Sequence, residues 1–332
     1  MKTKIKDLKL GINSPLYVVA EIGFNHGGDK ELAIRLIEGA AEAGANAVKF
    51  QTFKAKNLVL ENEDHFKIIQ NTELNFEDYI ELFKIAKSNN LDFFSTPFDN
   101  ESVDILERLG VEFYKIASMD ITNIPLLKYV SKTKKPIILS TGMALLSEIS
   151  EAIEFLRNHG TKDIILLHCI SKYPTPIEET NLININYLKN TFSLPTGFSD
   201  HTIGYIAPLT AGIMGACMIE KHFTIDKSLP GPDHRLSCNV EELKQLICDL
   251  RRARQCIGET ISLKRSDMSN AKIFRRGIYA NQFIPKGTKL KKEMLKLVRP
   301  EQKLSPKYID TVINRITTKD INIEEAISFE NF

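Results

Sequence analysis

Short runs of β-branched and aromatic residues alternate with longer amphipathic stretches through the first 260 residues of this chain, eight times over. No other feature constrains its fold as tightly, because this alternation is the pattern of βα units around a parallel sheet. The strand candidates are Leu16–Ile22, Asn46–Thr52, Leu91–Thr96, Glu112–Ala117, Pro136–Ser140, Ile164–Cys169, Thr196–Ser199 and Cys217–His222. Helix candidates between them include Lys30–Ala43, Phe76–Ser88, Glu101–Leu109, Ile124–Lys132, Ser147–Asn158 and Ile203–Met214, most opened by Asp, Asn, Ser or Glu as caps. Eight repeats in about 250 residues predict an α/β fold of the closed (β/α)₈ TIM-barrel class. A doubly wound open sheet is the competing arrangement, but the first strand is followed by Gly23-Phe24-Asn25-His26-Gly27-Gly28 and not by a dinucleotide GxGxxG.

Chemistry in such barrels sits at the carboxyl ends of the strands. Polar residues concentrate there: Glu21 with Asn25-His26, Lys49 and Gln51, Ser95-Thr96, Lys115 and Ser118, Ser140-Thr141, His168 with Tyr173, Ser199-Asp200-His201, and Glu220-Lys221-His222. Five of the seven histidines (His26, His168, His201, His222, His234) fall at or just past these ends.

His201 and His222 end neighbouring strands, so their imidazoles could share a divalent metal with open positions for substrate or water. Glu21, from the strand on the far side of His222, could add an oxygen ligand, orient a water or act as a base. The plain alternative is a pair of histidines bonded to barrel-top backbone. Lys49 alternates with Val48 and Phe50 and shares a face with Ala47 and Gln51, so it points into the barrel. Lys49 and Lys115 with the hydroxyls of Thr96, Ser118, Ser140 and Ser199 make a donor-rich bowl suited to a phosphate and a carboxylate on one small ligand. A Schiff base at one lysine and a lysine snorkelling past the rim are the other readings. Pro230-Gly-Pro-Asp233-His234 is a rigid turn that can place Asp233 over the mouth, and the Gly27-Gly28 pair can expose amides to an anion.

Charge divides the chain. Residues 262–332 carry fifteen Lys+Arg against eight Asp+Glu, a net +7, leaving −5 on the first 261. The βα pattern also stops after Gly258-Glu259. We expect a barrel over 1–261, a linker over 262–273 and a small mostly-β domain over 274–332, with Pro285-Lys286-Gly287 as a turn between β pieces. The basic excess is modest and lacks an aromatic stripe, which argues against nucleic acid as a partner. No apolar run approaches the roughly 20 residues of a membrane span, and Met1–Leu10 does not read as an export signal. Five cysteines with no CxxC pair read as reduced core thiols in a cytoplasmic protein.

The motifs Glu21-Ile-Gly-Phe-Asn-His26, Val48-Lys-Phe-Gln-Thr52, Ser95-Thr-Pro-Phe98, Tyr114-Lys-Ile-Ala-Ser118, Ser140-Thr-Gly-Met143, Tyr173-Pro-Thr-Pro176, Phe198-Ser-Asp-His-Thr202, Glu220-Lys-His-Phe-Thr224 and Pro230-Gly-Pro-Asp233, in this order, resemble those of the sialic acid synthase family. That family includes the legionaminate and pseudaminate synthases. The stretch from Arg275 through Val298-Arg299-Pro300 resembles their C-terminal antifreeze-like (SAF) domain. The resemblance implies condensation of phosphoenolpyruvate with the open-chain aldehyde of an N-acylated amino sugar and release of phosphate. It implies that His201 and His222 hold a divalent ion, Mn²⁺ with Mg²⁺ and Co²⁺ as alternatives. Lys49, Thr96, Lys115, Ser118, Ser140, Ser171 and Ser199 would bind phosphoenolpyruvate; Glu21, Gln51, Asp120, Tyr173 and Asp233 would address the sugar and the chemical step. It further implies a domain-swapped homodimer in which Arg299 reaches the partner's sugar site.

Two positions depart from the best-known bacterial sialate synthases: Asp120 stands where those have Glu, and Ser171 where they have Asn. The shorter Asp120 fits a differently decorated sugar. The competing functions are a phosphoenolpyruvate-dependent aldolase acting on a sugar phosphate and a non-catalytic scaffold that binds carbohydrate or nucleic acid.

Overall fold

The computed structural model describes residues 16–257 and 265–332. The Met1–Leu10 segment and the start of the expected 262–273 linker lie outside the described residues. The chain divides into two compact units, Met1–Glu259 and Thr260–Phe332.

Eight parallel strands build the first unit: β1 (Tyr17–Glu21), β2 (Ala47–Thr52), β3 (Asp92–Pro97), β4 (Tyr114–Ile116), β5 (Ile137–Ser140), β6 (Ile164–Cys169), β7 (Thr196–Asp200) and β8 (Met218–His222). A long helix follows each: α1 (Lys30–Ala43), α2 (Phe76–Ser88), α3 (Asn100–Leu109), α4 (Ile124–Ser131), α5 (Leu146–Asn158), α6 (Ile183–Phe192), α7 (Ile206–Ile213) and α8 (Val240–Ile257). The hydrogen-bonded order is β3-β2-β1-β8-β7-β6-β5-β4, and β3 lies beside β4 with the Phe94 and Phe113 rings 4.6 Å apart. The sheet thus curls into a nearly closed TIM-like barrel, as the eightfold alternation predicts.

The period-2 alternation of each strand sorts its residues into two apolar layers. Val18, Ala20, Val48, Phe50 and Ile219 face the helices, and Tyr17, Val19, Ala47, Phe94, Ile138, Leu167 and Met218 fill the barrel's lower interior. Above that inner layer the same faces turn polar. Glu21 is in register with Lys49 on one side and His222 on the other, and Ser199 with Glu220. Local signals fix the helix starts: the Asp29 carboxylate accepts from the Glu31 and Leu32 N–H groups, and Asn75 with Asp78 forms a capping box.

The segment between β2 and α2 is more elaborate than its sequence indicates. It carries two short helices, Ala55–Leu58 and Phe66–Asn71. Glu73 accepts from the Ala55 N–H at 2.7 Å, and Asp99 accepts from the Asn57 amide at 2.9 Å. The far end packs so closely on Gly28, at φ +79°, that a Cβ there would lie 2.0 Å from the Asn71 carbonyl oxygen.

The second unit is built on an antiparallel pair, β9 (Gly277–Ala280) and β10 (Leu295–Val298), around a core of Ile278, Ala280, Ile284, Leu290, Val312, Ile321 and Ile327. Pro285 accepts from the Thr288 N–H across the expected turn. All five cysteines are free, but only Cys169, Cys217 and Cys238 are buried. Cys248 and Cys256 lie exposed on α8, which corrects the expectation of core thiols: the apolar stripe of that helix runs through Leu243, Leu246, Ile247 and Leu250, and both cysteines fall off it.

Candidate active site

The carboxyl ends of the strands open into a cavity of about 650 Å³, within the size range of small-molecule sites. Glu21, Lys49, Gln51, Thr96, Lys115, Ser118, Ser140, Ser171, Tyr173, Ser199, His201, His222 and Asp233 all line it. The barrel thereby gathers residues scattered over more than 200 positions. Asp120 is the exception in this unit. The 3₁₀ turn Ser118–Asp120 aims its carboxylate at the Asn123 amide, 2.9 Å away, and presents Met119 to the cavity instead. Arg299 belongs to the second unit, where its guanidinium lies 5.6 Å from the Phe274 ring centre.

Four charged groups form one buried cluster on the cavity floor. The Lys49 ammonium lies 2.8 Å from Glu21 Oε2 and 3.8 Å from Glu220 Oε1. Lys115 reaches the same Glu220 oxygen at 3.2 Å, and the Ser199 hydroxyl donates to it at 2.9 Å. Gln51 donates to Glu21 Oε1 at 2.8 Å. Burial raises Glu21 above the usual carboxylate range, with the charge of Glu220 adding to the rise against the pull of Lys49. Burial would raise Glu220 too, but Lys115 and Lys49 outweigh it and hold this carboxyl low. Desolvation lowers Lys115, with Glu220 opposing, whereas Glu21 and Glu220 keep Lys49 above its ordinary value despite burial. The two carboxyls and two ammonium groups on this floor therefore set one another's charge.

The histidine pair stands above this floor. The His201 and His222 ring centres are 5.4 Å apart, and the Tyr173 ring lies 4.2 Å from His201. His201 Nδ1 donates to the Ile170 carbonyl at 2.8 Å, which fixes its tautomer and leaves Nε2 as an acceptor. Desolvation pushes both imidazoles toward the neutral form, for His222 with repulsion from His201 added. His222 Nδ1 is buried with no hydrogen-bond partner, and Asp233 Oδ2 stands 3.5 Å from it. Burial pushes the Asp233 carboxyl up to about 6, Lys49 opposing. A neutral His201 imidazole fixed in its tautomer and a neutral His222 ring with an orphaned nitrogen fit a metal ion held from two sides. Among the described residues no group of three or more His, Cys, Asp or Glu is arranged around one point as a ligand set.

Three features carry no role in the sequence reading. Glu220 has a readable signal, since alternation with Lys221 puts it on the inward face between Met218 and His222. Lys221 and Asp200, both fully buried, pair at 2.7 Å behind the two histidines that follow them, and Lys221 also donates to the Thr202 carbonyl. This pair ties the outer faces of β7 and β8 together where His201 and His222 emerge. The third feature is an apolar wall of Phe24, Leu58, Val59, Ile69, Phe98 and Met119.

Comparison with known proteins gives the lineage. Residues 36–262 match the NeuB family and residues 275–332 the SAF domain. The chain is 42% identical over 327 residues to the N,N'-diacetyllegionaminic acid synthase of Campylobacter jejuni, covering 93% of this chain and 98% of that one. The enzyme of the same name from Legionella pneumophila is 38% identical over 349 residues, with 99% of this chain and 98% of that one covered. The crystal structure of N-acetylneuraminic acid (sialic acid) synthetase from Leptospira borgpetersenii, solved with citrate, superposes with a TM-score of 0.75 at 38% identity, covering 78% of this chain and 90% of that one. With more than half of its length matched and its carboxyl end accounted for by a SAF domain, the chain belongs to the NeuB family, that of the sialic acid synthases.

Proposed function

We propose that this protein condenses phosphoenolpyruvate with the open-chain aldehyde of an N-acylated amino sugar, N-acetylmannosamine or a 2,4-diacetamido-6-deoxyhexose, to give a nonulosonic acid and inorganic phosphate. The observation that carries this reading is the floor of the cavity. Two inward lysines, held by Glu21 and Glu220, line one cavity with serine and threonine hydroxyls and a pair of imidazoles. Lys49, Lys115, Thr96, Ser118, Ser140, Ser171 and Ser199 hold the phosphate and carboxylate of phosphoenolpyruvate. The Ser140 hydroxyl, buried and without a protein partner, is free to donate to that anion. Gln51, Tyr173 and Asp233 orient the sugar, and Glu21, whose carboxyl is easily protonated, serves as the proton carrier.

His201 and His222 would hold the divalent ion, Mn²⁺ in this reading, whose Lewis acidity polarises the aldehyde oxygen. C3 of phosphoenolpyruvate attacks the aldehyde carbon, forming the new C–C bond and leaving positive charge at C2. Water adds at C2, and the C2–O bond breaks so that the bridging oxygen leaves with phosphate. Lys49 and Lys115 stabilise the departing anion. The Glu21 and Glu220 pairing of both lysines argues against Schiff-base chemistry, which needs a free neutral amine.

The test is phosphate release from phosphoenolpyruvate. It should require both an N-acyl amino sugar and a divalent ion, and fall at least 100-fold in His201→Ala. Release that persists in excess EDTA, or that needs a phosphorylated sugar, would overturn the reading.

A further inference from the structure

At the carboxyl ends of β4, β5 and β6 the cavity is lined by Ser118, Ser140, Cys169 and Ser171. Alternation turns Cys169 inward, one step above Leu167 of the inner apolar layer, and it is only 4% exposed. Cys248 and Cys256 lie exposed on α8, and Cys217 and Cys238 sit in the apolar core. Among the described residues, Cys169 is therefore the one thiol that lines this cavity.

Strand β5 separates β4 from β6, yet Ser118 Oγ and Cys169 Sγ lie 3.1 Å apart. They meet across the end of β5 because residue 142 there has no side chain. A Cβ on Gly142 would lie 2.5 Å from Ser171 Oγ, 2.8 Å from Cys169 Sγ and 2.9 Å from Ser118 Oγ, closer than real Cβ atoms come. The Gly142 N–H donates to Ser118 Oγ at 3.0 Å. Ser118 Oγ thus has a backbone donor, a sulfur neighbour and its own proton to place. On β5 the Ser140 hydroxyl, 2% exposed, lines the same cavity and has no protein partner. One hydroxyl proton unclaimed and another facing only sulfur call for an acceptor from outside the chain.

Resting on the synthase reading above, we propose that Cys169 is a positioning residue for phosphoenolpyruvate: its thiol donates to Ser118 Oγ and so leaves the Ser118 proton for the bound anion. Sulfur is a weak acceptor, whereas a phosphate or carboxylate oxygen is a strong one. The Ser118 O–H therefore turns to an entering anion, and the S–H fills the acceptor site of Ser118 Oγ that the Gly142 N–H leaves open. The same placement makes Cys169 a modification site. Its thiolate, attacking iodoacetamide, forms an S–C bond and expels iodide, the thiol proton going to solvent. The added group then fills the space that the anion needs.

The test uses the full chain with Mn²⁺ present. Phosphoenolpyruvate Kd is measured by calorimetry without sugar, and the sugar KM by phosphate release. Cys169→Ala should weaken phosphoenolpyruvate binding about 5-fold, the loss of one hydrogen bond, and leave the sugar KM in place. Cys169→Ser keeps a donor and should recover most of that affinity. Phosphoenolpyruvate at about ten times its Kd should slow iodoacetamide labelling of Cys169 about 10-fold, read by peptide mass, and leave the labelling of Cys248 and Cys256 unaltered. An unchanged Kd in Cys169→Ala, or an equal loss in Cys169→Ser, overturns this inference while the synthase reading stands. Labelling of Cys169 that phosphoenolpyruvate does not slow overturns it too. A wild type that binds no phosphoenolpyruvate overturns both readings.

Discussion

At the scale of single residues, the site is governed by what burial does to charge. Lys115 keeps its proton against desolvation because Glu220 faces it, so Glu220→Gln should lower the Lys115 pKa further. The alkaline limb of kcat/KM for phosphoenolpyruvate should then move to lower pH; an unmoved limb would show that Glu220 does not tune this lysine. His26 is a structural counterpart, 1% exposed and pushed down by desolvation from 6.5 to about 4. The unfolded chain binds this proton more readily than the folded one. Its contribution is therefore present above pH 6.5 and lost as pH falls toward 4, by about 3 kcal/mol. Urea unfolding at pH 7.5 and pH 5 should show a shallower pH dependence in His26→Gln than in the wild type. The inward direction of Lys49 was legible from alternation alone, and so was that of Glu220. That Asp120 turns aside was not, because a single 3₁₀ turn after β4 decides whether residue 119 or 120 meets the cavity.

At the scale of elements, the Lys221–Asp200 pair joins two strands behind the two histidines. Breaking it leaves a buried charge alone, so Lys221→Met should cost about 3–5 kcal/mol, with Asp200→Asn in the same chain recovering part of the loss. Recovery of stability without recovery of activity would separate positioning of His201 and His222 from mere packing. The segment between β2 and α2 is anchored on Gly28, where Ala adds both an unfavourable positive φ and a clash with the Asn71 carbonyl. Gly28→Ala should cost about 2–4 kcal/mol by thermal unfolding. The strands and most helices could be placed from the sequence to within a few residues, because apolar periodicity and capping are local signals. The two short helices between β2 and α2 could not, since Glu73 and Asp99 hold them from distant positions. The apolar wall was invisible for the same reason: its residues are ordinary apolar residues until the barrel brings them to one side.

At the scale of the whole molecule, the split of charge between the two parts of the chain coincides with a change of architecture, from a (β/α)₈ unit to a small unit around an antiparallel pair. The family resemblance gives Arg299 of the second unit a place at the sugar's acyl group. Arg299→Ala should then raise the sugar KM about 10-fold or more and leave the phosphoenolpyruvate KM in place, as loss of one charge-assisted hydrogen bond would. Equal effects on both substrates would contradict that assignment. Among the described residues no helix is long and apolar enough to cross a membrane. The central claim, that the barrel mouth joins phosphoenolpyruvate to an aldehyde and expels phosphate by C–O cleavage, is tested most directly with phosphoenolpyruvate labelled with heavy oxygen at the C2–O–P bridge. Incubated with an N-acyl amino sugar and Mn²⁺, the enzyme should place the label in inorganic phosphate, with one nonulosonic acid formed per phosphate released. Label retained in the sugar product, or phosphate released without a new C–C bond, would contradict the account.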